Sequence, residues 1–158
     1  MHDDSVDITN REVIMRNLVR ILMVWLSLSG AAFLPAAQAN VSAAQTQEFQ
    51  RLVRAQLDAF AADDAARAFS YAAASIQQMF GTPDQFLQMV RSSYPVVYRP
   101  ASVTFLTAKS DAQGVVQPVH MTDAEGGSWL ALYRLVQLKD KSWRIAGCVL
   151  TASSAQRT

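Results

Sequence analysis

Four side chains of this sequence have the chemistry that general acid–base catalysis requires. His120 is the only histidine after residue 39, and imidazole is the side chain best suited to moving a proton at neutral pH. Asp58, Asp63 and Asp64 form a group of carboxylates near a predicted helix junction, where one of them could serve as a base. The alternative for these aspartates is a helix end and an N-cap, with Arg67 as the counter-charge. The alternative for His120 is a surface position, or a histidine whose hydrogen bonds are satisfied within the fold.

Aromatic side chains with a polar tip form a second candidate set, because such residues suit the lining of a ligand cavity. Arg99 and Arg134 could hold an anionic ligand through two parallel hydrogen bonds. The alternatives are that the aromatic residues fill the core and that the arginines are solvated charges at strand edges. The ligand-binding residues predicted from these two groups are Tyr71, Tyr94, Arg99, Trp129, Tyr133 and Trp143.

The residue sets that several other chemistries require are missing from the sequence. Cys148 is the only cysteine, so neither an internal disulfide nor a cysteine metal cluster can form, and no metal-ligand spacing is present. No serine lies in a Gly-x-Ser-x-Gly elbow and no glycine-rich loop follows a strand, so we predict no cofactor. A net charge of +1, without a basic stripe interleaved with aromatic residues, argues against nucleic acid as a partner. Apolar neighbours on both sides predict that Cys148 is buried.

The spacing of apolar residues predicts four helices ahead of any strand. Apolar side chains recur with a period of 3.6 residues from Phe49 to Phe60, which indicates an amphipathic helix. Asp64 can cap a second helix, and Thr82 with Gln85 forms the capping box of another. The predicted helices span residues 44–61, 65–72, 75–80 and 83–94.

From residue 96 onward the apolar residues recur with a period of two, which predicts strands. The predicted strands span residues 96–99, 102–109, 114–121, 128–139 and 142–151. Short turns such as Asp111–Gly114 join them, so neighbouring strands should pair antiparallel as a meander. The sequence therefore predicts an α+β domain, with N-terminal helices packed on a curved antiparallel sheet.

The N-terminal segment has the order of a secretory signal peptide. Arg16 and Arg20 precede an apolar run of 14 residues, Ile21–Leu34, and the small-residue sequence Ala37-Gln38-Ala39 follows it. A helix of this run would be about 21 Å long, which is too short for a hydrocarbon core of about 30 Å. We therefore predict cleavage after Ala39 and a single domain over residues 40–158, located in the periplasm or secreted.

Two alternatives concern this leader. Residues 21–37 could instead anchor the protein in the inner membrane without cleavage, which is the only membrane contact that we expect. Residues 1–14 are acidic where a signal peptide should be basic, so translation is predicted to begin at Met15.

Several short stretches, in a fixed order, together carry a resemblance to a known family. They are Gln56-Leu57, Ala59-Phe60, Asp63-Asp64, Ala68-Phe69, Ala72, Phe86, Met89-Val90, Tyr94, Val97–Pro100, Gln117, Tyr133 and Trp143–Cys148. In these stretches, over roughly residues 46–151, the chain resembles the bacterial family called domain of unknown function 4864 (DUF4864). The resemblance implies the cone-shaped fold of nuclear-transport-factor-2-like (NTF2-like) proteins, in which helices close the concave side of a curved sheet and leave a pocket. It implies no catalytic residue, since enzymes, binding subunits and assembly partners all share that fold.

Two functional hypotheses follow. The first is a non-catalytic periplasmic binding or interaction module, which takes a small apolar or amphipathic ligand in its pocket or docks a partner through the open face of the sheet. A homodimer whose sheet faces pack together is a further option. The second is a cofactor-free acid–base enzyme, an isomerase, dehydratase or hydrolase, that uses His120 or one of Asp58, Asp63 and Asp64.

The leader interpretation predicts the N-terminal residue of the exported protein and that of its precursor. N-terminal sequencing of the exported protein is expected to give Asn40 first, and sequencing of the unprocessed precursor is expected to give Met15. An exported protein that keeps residues 21–37 would contradict the cleavage, and a precursor that begins at Met1 or His2 would contradict the start.

Overall fold

A computed structural model describes residues 41–153, so the predicted leader and its cleavage site lie outside the described residues. Helices come first and strands second within this range, which confirms the α+β class. The helices are α1 (Ala43–Ala61), α2 (Ala65–Ser70), α3 (Ala74–Phe80), α4 (Pro83–Ser93) and α5 (Pro95–Tyr98). The strands are β1 (Ser102–Phe105), β2 (Lys109–Asp111), β3 (Gly114–Thr122), β4 (Ser128–Gln137) and β5 (Trp143–Ala152). None of the helices in residues 41–153 has the length and apolar character needed to cross a membrane.

Side-chain caps fix the beginnings of three helices. Ser42 and Gln45 form a reciprocal capping box at α1, where each side chain satisfies a backbone N–H of the other residue. The Asp64 carboxylate accepts the N–H of Arg67 at 3.0 Å and so begins α2. Thr82 caps α4 in the same way, with Pro83 at the first helical position.

The strands form one antiparallel sheet in the order β1-β3-β4-β5, and β2 pairs with the same edge of β3 as β1 does. Alternate residues of β3 and β4 are buried on the face that the helices cover, including Val119, Ala131 and Leu135. The opposite face keeps apolar residues nearer to solvent, among them Leu132 and its neighbour Val149, which is 62% exposed. The homodimer expected through the sheet stays a prediction.

The stretch at residues 96–99 was predicted as a strand, and that prediction is wrong. Residues Pro95–Tyr98 form the short helix α5, in which the carbonyl of Tyr94 accepts the N–H groups of Val97 and Tyr98, both at 2.9 Å. Proline begins a helix as readily as it ends one, because the N–H that it lacks is unpaired in the first turn anyway. A short apolar run does not distinguish a buried helix from a buried strand.

The predicted strand over residues 102–109 is divided into β1 and β2. Leu106 donates its N–H to the carbonyl of Pro118 at 3.0 Å, but Pro118 has no N–H to return. The side-chain amide of Gln117 donates to the Leu106 carbonyl instead, at 2.7 Å. The edge strand therefore leaves the ladder opposite a proline, and Gln117 is buried because it takes the place of the missing backbone donor.

Helix α1 packs against the beginning of strand β5. Phe49 on α1 is fully buried and packs edge-on against Trp143 on β5, with the ring centroids 4.7 Å apart. Phe60 near the end of the same helix packs against Phe86 on α4 at 5.7 Å. The apolar stripe of α1 therefore holds the sheet at one end and the later helices at the other.

Two glycines with positive φ give a matched test of the sheet. Gly114 has φ +130°, and an added Cβ would lie 2.3 Å from the carbonyl oxygen of Leu135, whereas Gly126 has φ +83° and open space around it. Gly126→Ala is expected to cost about 1 kcal/mol from the left-handed backbone alone. Gly114→Ala is expected to cost about 2 kcal/mol more, because a strand must also move. Urea unfolding measures both, and equal losses would contradict the register of β3 with β4.

Candidate functional site

A cavity of about 250 Å³ lies between the helices and the strands β4 and β5. It is lined by Gln56, Phe60, Ile76, Met79, Phe80, Phe86, Met89, Val90, Tyr94, Val97, Tyr133, Ile145, Ala146, Gly147 and Cys148. None of these lining residues has a charged side chain, so the cavity is an apolar and aromatic chamber with a few neutral polar groups. It therefore suits an uncharged guest.

The short helix α3 forms the most exposed wall of the cavity. It contributes Ile76, Met79 and Phe80, and no residue of the helix is buried. Met79 is 75% exposed although it faces the cavity, which places the mouth beside α3. Gln77 anchors the helix, since its side-chain amide donates to the carbonyls of Phe69 and Ala72 at 3.0 and 3.1 Å.

The floor of the cavity is an irregular part of β5. Ile145 pairs with Leu135 and Gly147 pairs with Arg134, so Ala146 is an extra residue that makes a β-bulge. Ile145 also exchanges backbone hydrogen bonds with the linker between α2 and α3, donating to Tyr71 at 2.9 Å and accepting from Ala73 at 2.8 Å. The bulge therefore fixes both the floor and the beginning of the α3 wall.

A row of polar side chains crosses the sheet at this floor. Gln117, Tyr133 and Cys148 are neighbours on β3, β4 and β5 and share the covered face. Burial raises the pKa of the Cys148 thiol to about 12, while the neighbouring Tyr133 hydroxyl opposes this shift. Burial, followed by the effect of Cys148, likewise raises the pKa of Tyr133 well above its ordinary value. Both groups therefore keep their protons at neutral pH, and the thiol is a poor nucleophile.

The structure places two of the predicted ligand-binding residues at the cavity, Tyr94 and Tyr133. The other aromatic residues of that prediction lie elsewhere. Tyr71 accepts a hydrogen bond from Arg67 at 3.3 Å, and Trp143 packs on α1 as described above. Trp129 donates its indole N–H to Asp123 at 2.7 Å and so stabilises the turn between β3 and β4. In these three the polar tip or the ring serves the fold.

Arg99 belongs to an exposed cluster around Asp63, together with Arg91 and Tyr98. Asp63 accepts from Arg91 at 2.6 Å, from Arg99 at 3.2 Å and from the Tyr98 hydroxyl. Both guanidinium groups also lie over the Tyr98 ring, 5.2 and 4.8 Å from its centroid. The hydrogen bonds from Tyr98 and then Arg91 lower the pKa of Asp63. The cluster ties the α1–α2 turn to α4 and α5.

The remaining acid–base candidates also lie away from the cavity lining. Asp58 is an exposed residue of α1, and Asp64 is the cap of α2. His120 is half-buried on the sheet face opposite the helices, where its Nε2 is 2.7 Å from the Ser128 hydroxyl. Arg134, considered for anion binding, instead holds Asp111 through two contacts of 2.7 and 2.6 Å. Residues 41–153 contain no group of three His, Cys, Asp or Glu side chains that could hold a metal ion.

Sequence reasoning missed most of the lining, in particular the residues of α3, α4 and the bulge. Apolar residues such as Ile76, Met89 and Val90 read as ordinary core positions, because a helix that faces a cavity has the same period as one that faces other side chains. Cys148 could have been assigned to the lining through Tyr133, the residue of β4 with which it pairs. That assignment needs the register of β4 with β5, which the bulge at Ala146 shifts by one residue.

The Asp63 cluster predicts how stability depends on acid. A carboxylate whose pKa is lowered in the folded state stabilises the fold above its ordinary value of 3.8, and this stabilisation is lost as the pH falls through the folded value. Asp63→Asn keeps a residue that tolerates the observed φ of +57° but cannot titrate. Its urea midpoint should therefore fall less between pH 6 and pH 3 than that of the parent protein. Glu125→Gln, at an exposed turn, is the control, and an equal fall in Asp63→Asn and the parent would contradict the cluster.

Comparison with known protein families gives a match that covers the helices and the sheet together. The sequence pattern of the family described as "Domain of unknown function (DUF4864)" matches residues 42–158. No curated protein and no solved structure matches the chain, so the NTF2-like cone stays a prediction. The match extends over the described domain and includes every residue that lines the cavity. The chain therefore belongs to the DUF4864 family.

Proposed function

We propose that this protein is an exported binding module, whose ligand is a small, uncharged and mainly apolar molecule held in the cavity above β4 and β5. The observation that carries the proposal is the cavity itself, with about 250 Å³ of space and no charged side chain in its lining. A carboxylate or ammonium group would lose its hydration there without gaining an ionic partner. An apolar ligand has no charge whose hydration would be lost, and its binding removes the aromatic side chains of the lining from water.

The size of the cavity limits the size of the ligand. An apolar cavity of about 150 Å³ is large enough for benzene, so one of about 250 Å³ suits a compound of about ten non-hydrogen atoms. A ligand of that size is expected to gain about 0.4–0.5 kcal/mol per atom. The expected Kd is therefore about 0.2–1 mM for simple probes, and it is lower for a ligand that also makes a hydrogen bond.

The mouth has properties that suit the entry of a ligand. Met79 is a flexible, polarizable side chain that can repack over guests of different shapes. Helix α3 has no fully buried residue, and Met79 on its exposed side can move without loss of core packing. A mobile side chain at the mouth allows exchange of a ligand while Gln77 keeps the helix in place.

The proposal of export agrees with the state of the single cysteine. A free thiol in an oxidising compartment is at risk of intermolecular disulfide formation. Cys148 is half-buried rather than fully buried as predicted, and burial raises its pKa to about 12, which disfavours the reactive thiolate at neutral pH. The acid–base hypothesis has no comparable support, since its candidate residues are not among those that line the cavity.

Two tryptophan variants of α3 test binding at this cavity. Ile76 is half-buried and lines the cavity, whereas Gln78 is exposed on the same helix and is not part of the lining. Ile76→Trp is expected to fill the space and weaken binding of toluene, indole or camphor at least about tenfold. Gln78→Trp is expected to bind them as the parent protein does.

The measurement is thermal unfolding with and without each probe, supported by titration calorimetry. At ten times Kd, a bound probe should raise the Tm of the parent and of Gln78→Trp by about 3–6 °C. Ile76→Trp should show no such rise even if its own Tm differs. Equal responses of the two variants, or no response of the parent to any probe, would contradict the proposal.

A further inference from the structure

The Tyr133 hydroxyl is a buried hydrogen-bonding group with no nitrogen or oxygen partner in residues 41–153. Tyr133 is 1% exposed, and no hydrogen bond of normal geometry reaches its hydroxyl from within these residues. The neighbouring Cys148 thiol makes a weak hydrogen-bonding contact that adds to the effect of burial in raising the pKa of Tyr133, but a thiol is a weak acceptor. Buried hydroxyl groups are nearly always paired, so this one calls for a physical explanation.

The side-chain amide nitrogens near Tyr133 already have their own tasks, although Oε1 of its strand neighbour Gln117 has no hydrogen-bond partner in residues 41–153. The side-chain amide of Gln117 donates to the carbonyls of Leu106 and Pro118, at 2.7 and 2.9 Å. The amide of Gln56, which lines the cavity, donates to the carbonyl of Ala68 at 3.1 Å. Each of these amides therefore donates to backbone carbonyls. Tyr133 has no such carbonyl partner, and it lines the cavity together with Cys148.

We propose that the Tyr133 hydroxyl is the polar anchor of the cavity, and that the ligand is a small neutral carbonyl compound, a ketone or aldehyde on a ring. This inference rests on the function proposed above and specifies its ligand class. The hydroxyl donates its hydrogen to the carbonyl oxygen at the floor, while the ring of the ligand packs among Phe60, Phe80 and Phe86. A phenol that keeps its proton at neutral pH is a donor under all ordinary conditions.

The lining explains why a carbonyl is favoured over an acid or an amine. A carboxylate would need a cation, and the lining residues include no arginine, lysine or histidine. An ammonium group would need an anion, and the lining includes no aspartate or glutamate either. A neutral acceptor pairs with a single neutral donor and leaves no charge buried.

A pair of ligands with the same shape isolates the proposed hydrogen bond. Acetophenone and α-methylstyrene differ only in having a carbonyl oxygen or a methylene group at one position. The ratio of their Kd values is measured in the parent protein and in Tyr133→Phe, which removes one oxygen atom. The preference for acetophenone is expected to fall about fivefold or more in Tyr133→Phe, because a single hydrogen bond is lost. The infrared carbonyl stretch of bound acetophenone should be red-shifted in the parent protein and unshifted in the variant.

Two variants of the neighbouring cysteine provide a second measurement that leaves Tyr133 in place. Cys148→Ser puts a strong acceptor beside the phenol, so the hydroxyl bonds within the protein and acetophenone binds several-fold less tightly. Cys148→Ala changes the same lining residue without adding an acceptor, so it should retain more of the preference for acetophenone than Cys148→Ser does. The Tm of Tyr133→Phe should equal or exceed that of the parent, since the variant removes an unpaired buried hydroxyl.

The outcomes separate this inference from the proposed function. Binding of both ligands with the same Kd ratio in the parent and Tyr133→Phe, and an unshifted carbonyl stretch, would overturn the anchor while leaving an apolar binding site. Failure of the parent to bind either ligand up to its solubility limit would overturn the binding function and the anchor together. A preference for acetophenone that Cys148→Ser and Cys148→Ala change equally would also overturn the anchor.

Discussion

The rest of the structure depends on the need to cover one face of an antiparallel sheet. The buried residues of β3 and β4 alternate strictly, so every second side chain must find an apolar partner. Helix α1 supplies most of this apolar cover, since its residues Phe49 and Val53 are fully buried in the core beside the strands. The helices α3 and α4 are shorter, and over β4 and β5 they do not fill the space. The cavity is what this incomplete cover leaves, and its walls are apolar because they are core residues that lack one neighbour.

Gln117 and Tyr133 are both buried polar residues of the sheet, but their hydrogen-bonding groups are used in different ways. Gln117 is fully buried because Pro118 cannot donate to the edge strand, and the glutamine amide bonds the orphaned carbonyl of Leu106. The amide nitrogen of Gln117 is thus used within the fold, while its Oε1 has no hydrogen-bond partner in residues 41–153. Tyr133 lies next to it across the ladder but has no such carbonyl to serve. The first group stabilises an irregular sheet edge, and the second is the one that we propose makes the apolar cavity selective.

Local patterns in the sequence predicted the elements, but the contacts between elements were beyond them. Helix α1 and its neighbours follow from apolar period and capping residues such as Asp64, which act over a few positions. Helix α5 was missed because Pro95 begins it and its apolar run is too short to show a period. Tyr133 was predicted as a ligand residue, whereas Trp143 was given the same role for the same chemistry and packs on Phe49 instead. The strand register and the bulge at Ala146 determine which of these aromatic residues lines the cavity, and neither can be predicted from local residue spacing.

The central claim is that the space above β4 and β5 receives a small apolar ligand, and methionine methyl groups report on it directly. Residues 40–158 contain Met79 and Met89, which line the cavity, and Met121, which is fully buried outside its lining. The measurement is a titration of ¹³C-methyl-methionine protein with acetophenone, followed by NMR and assigned by Met→Leu substitution. The account predicts that the signals of Met79 and Met89 move and saturate together while that of Met121 stays. Three unmoved signals, or three that drift together without saturation, would contradict it.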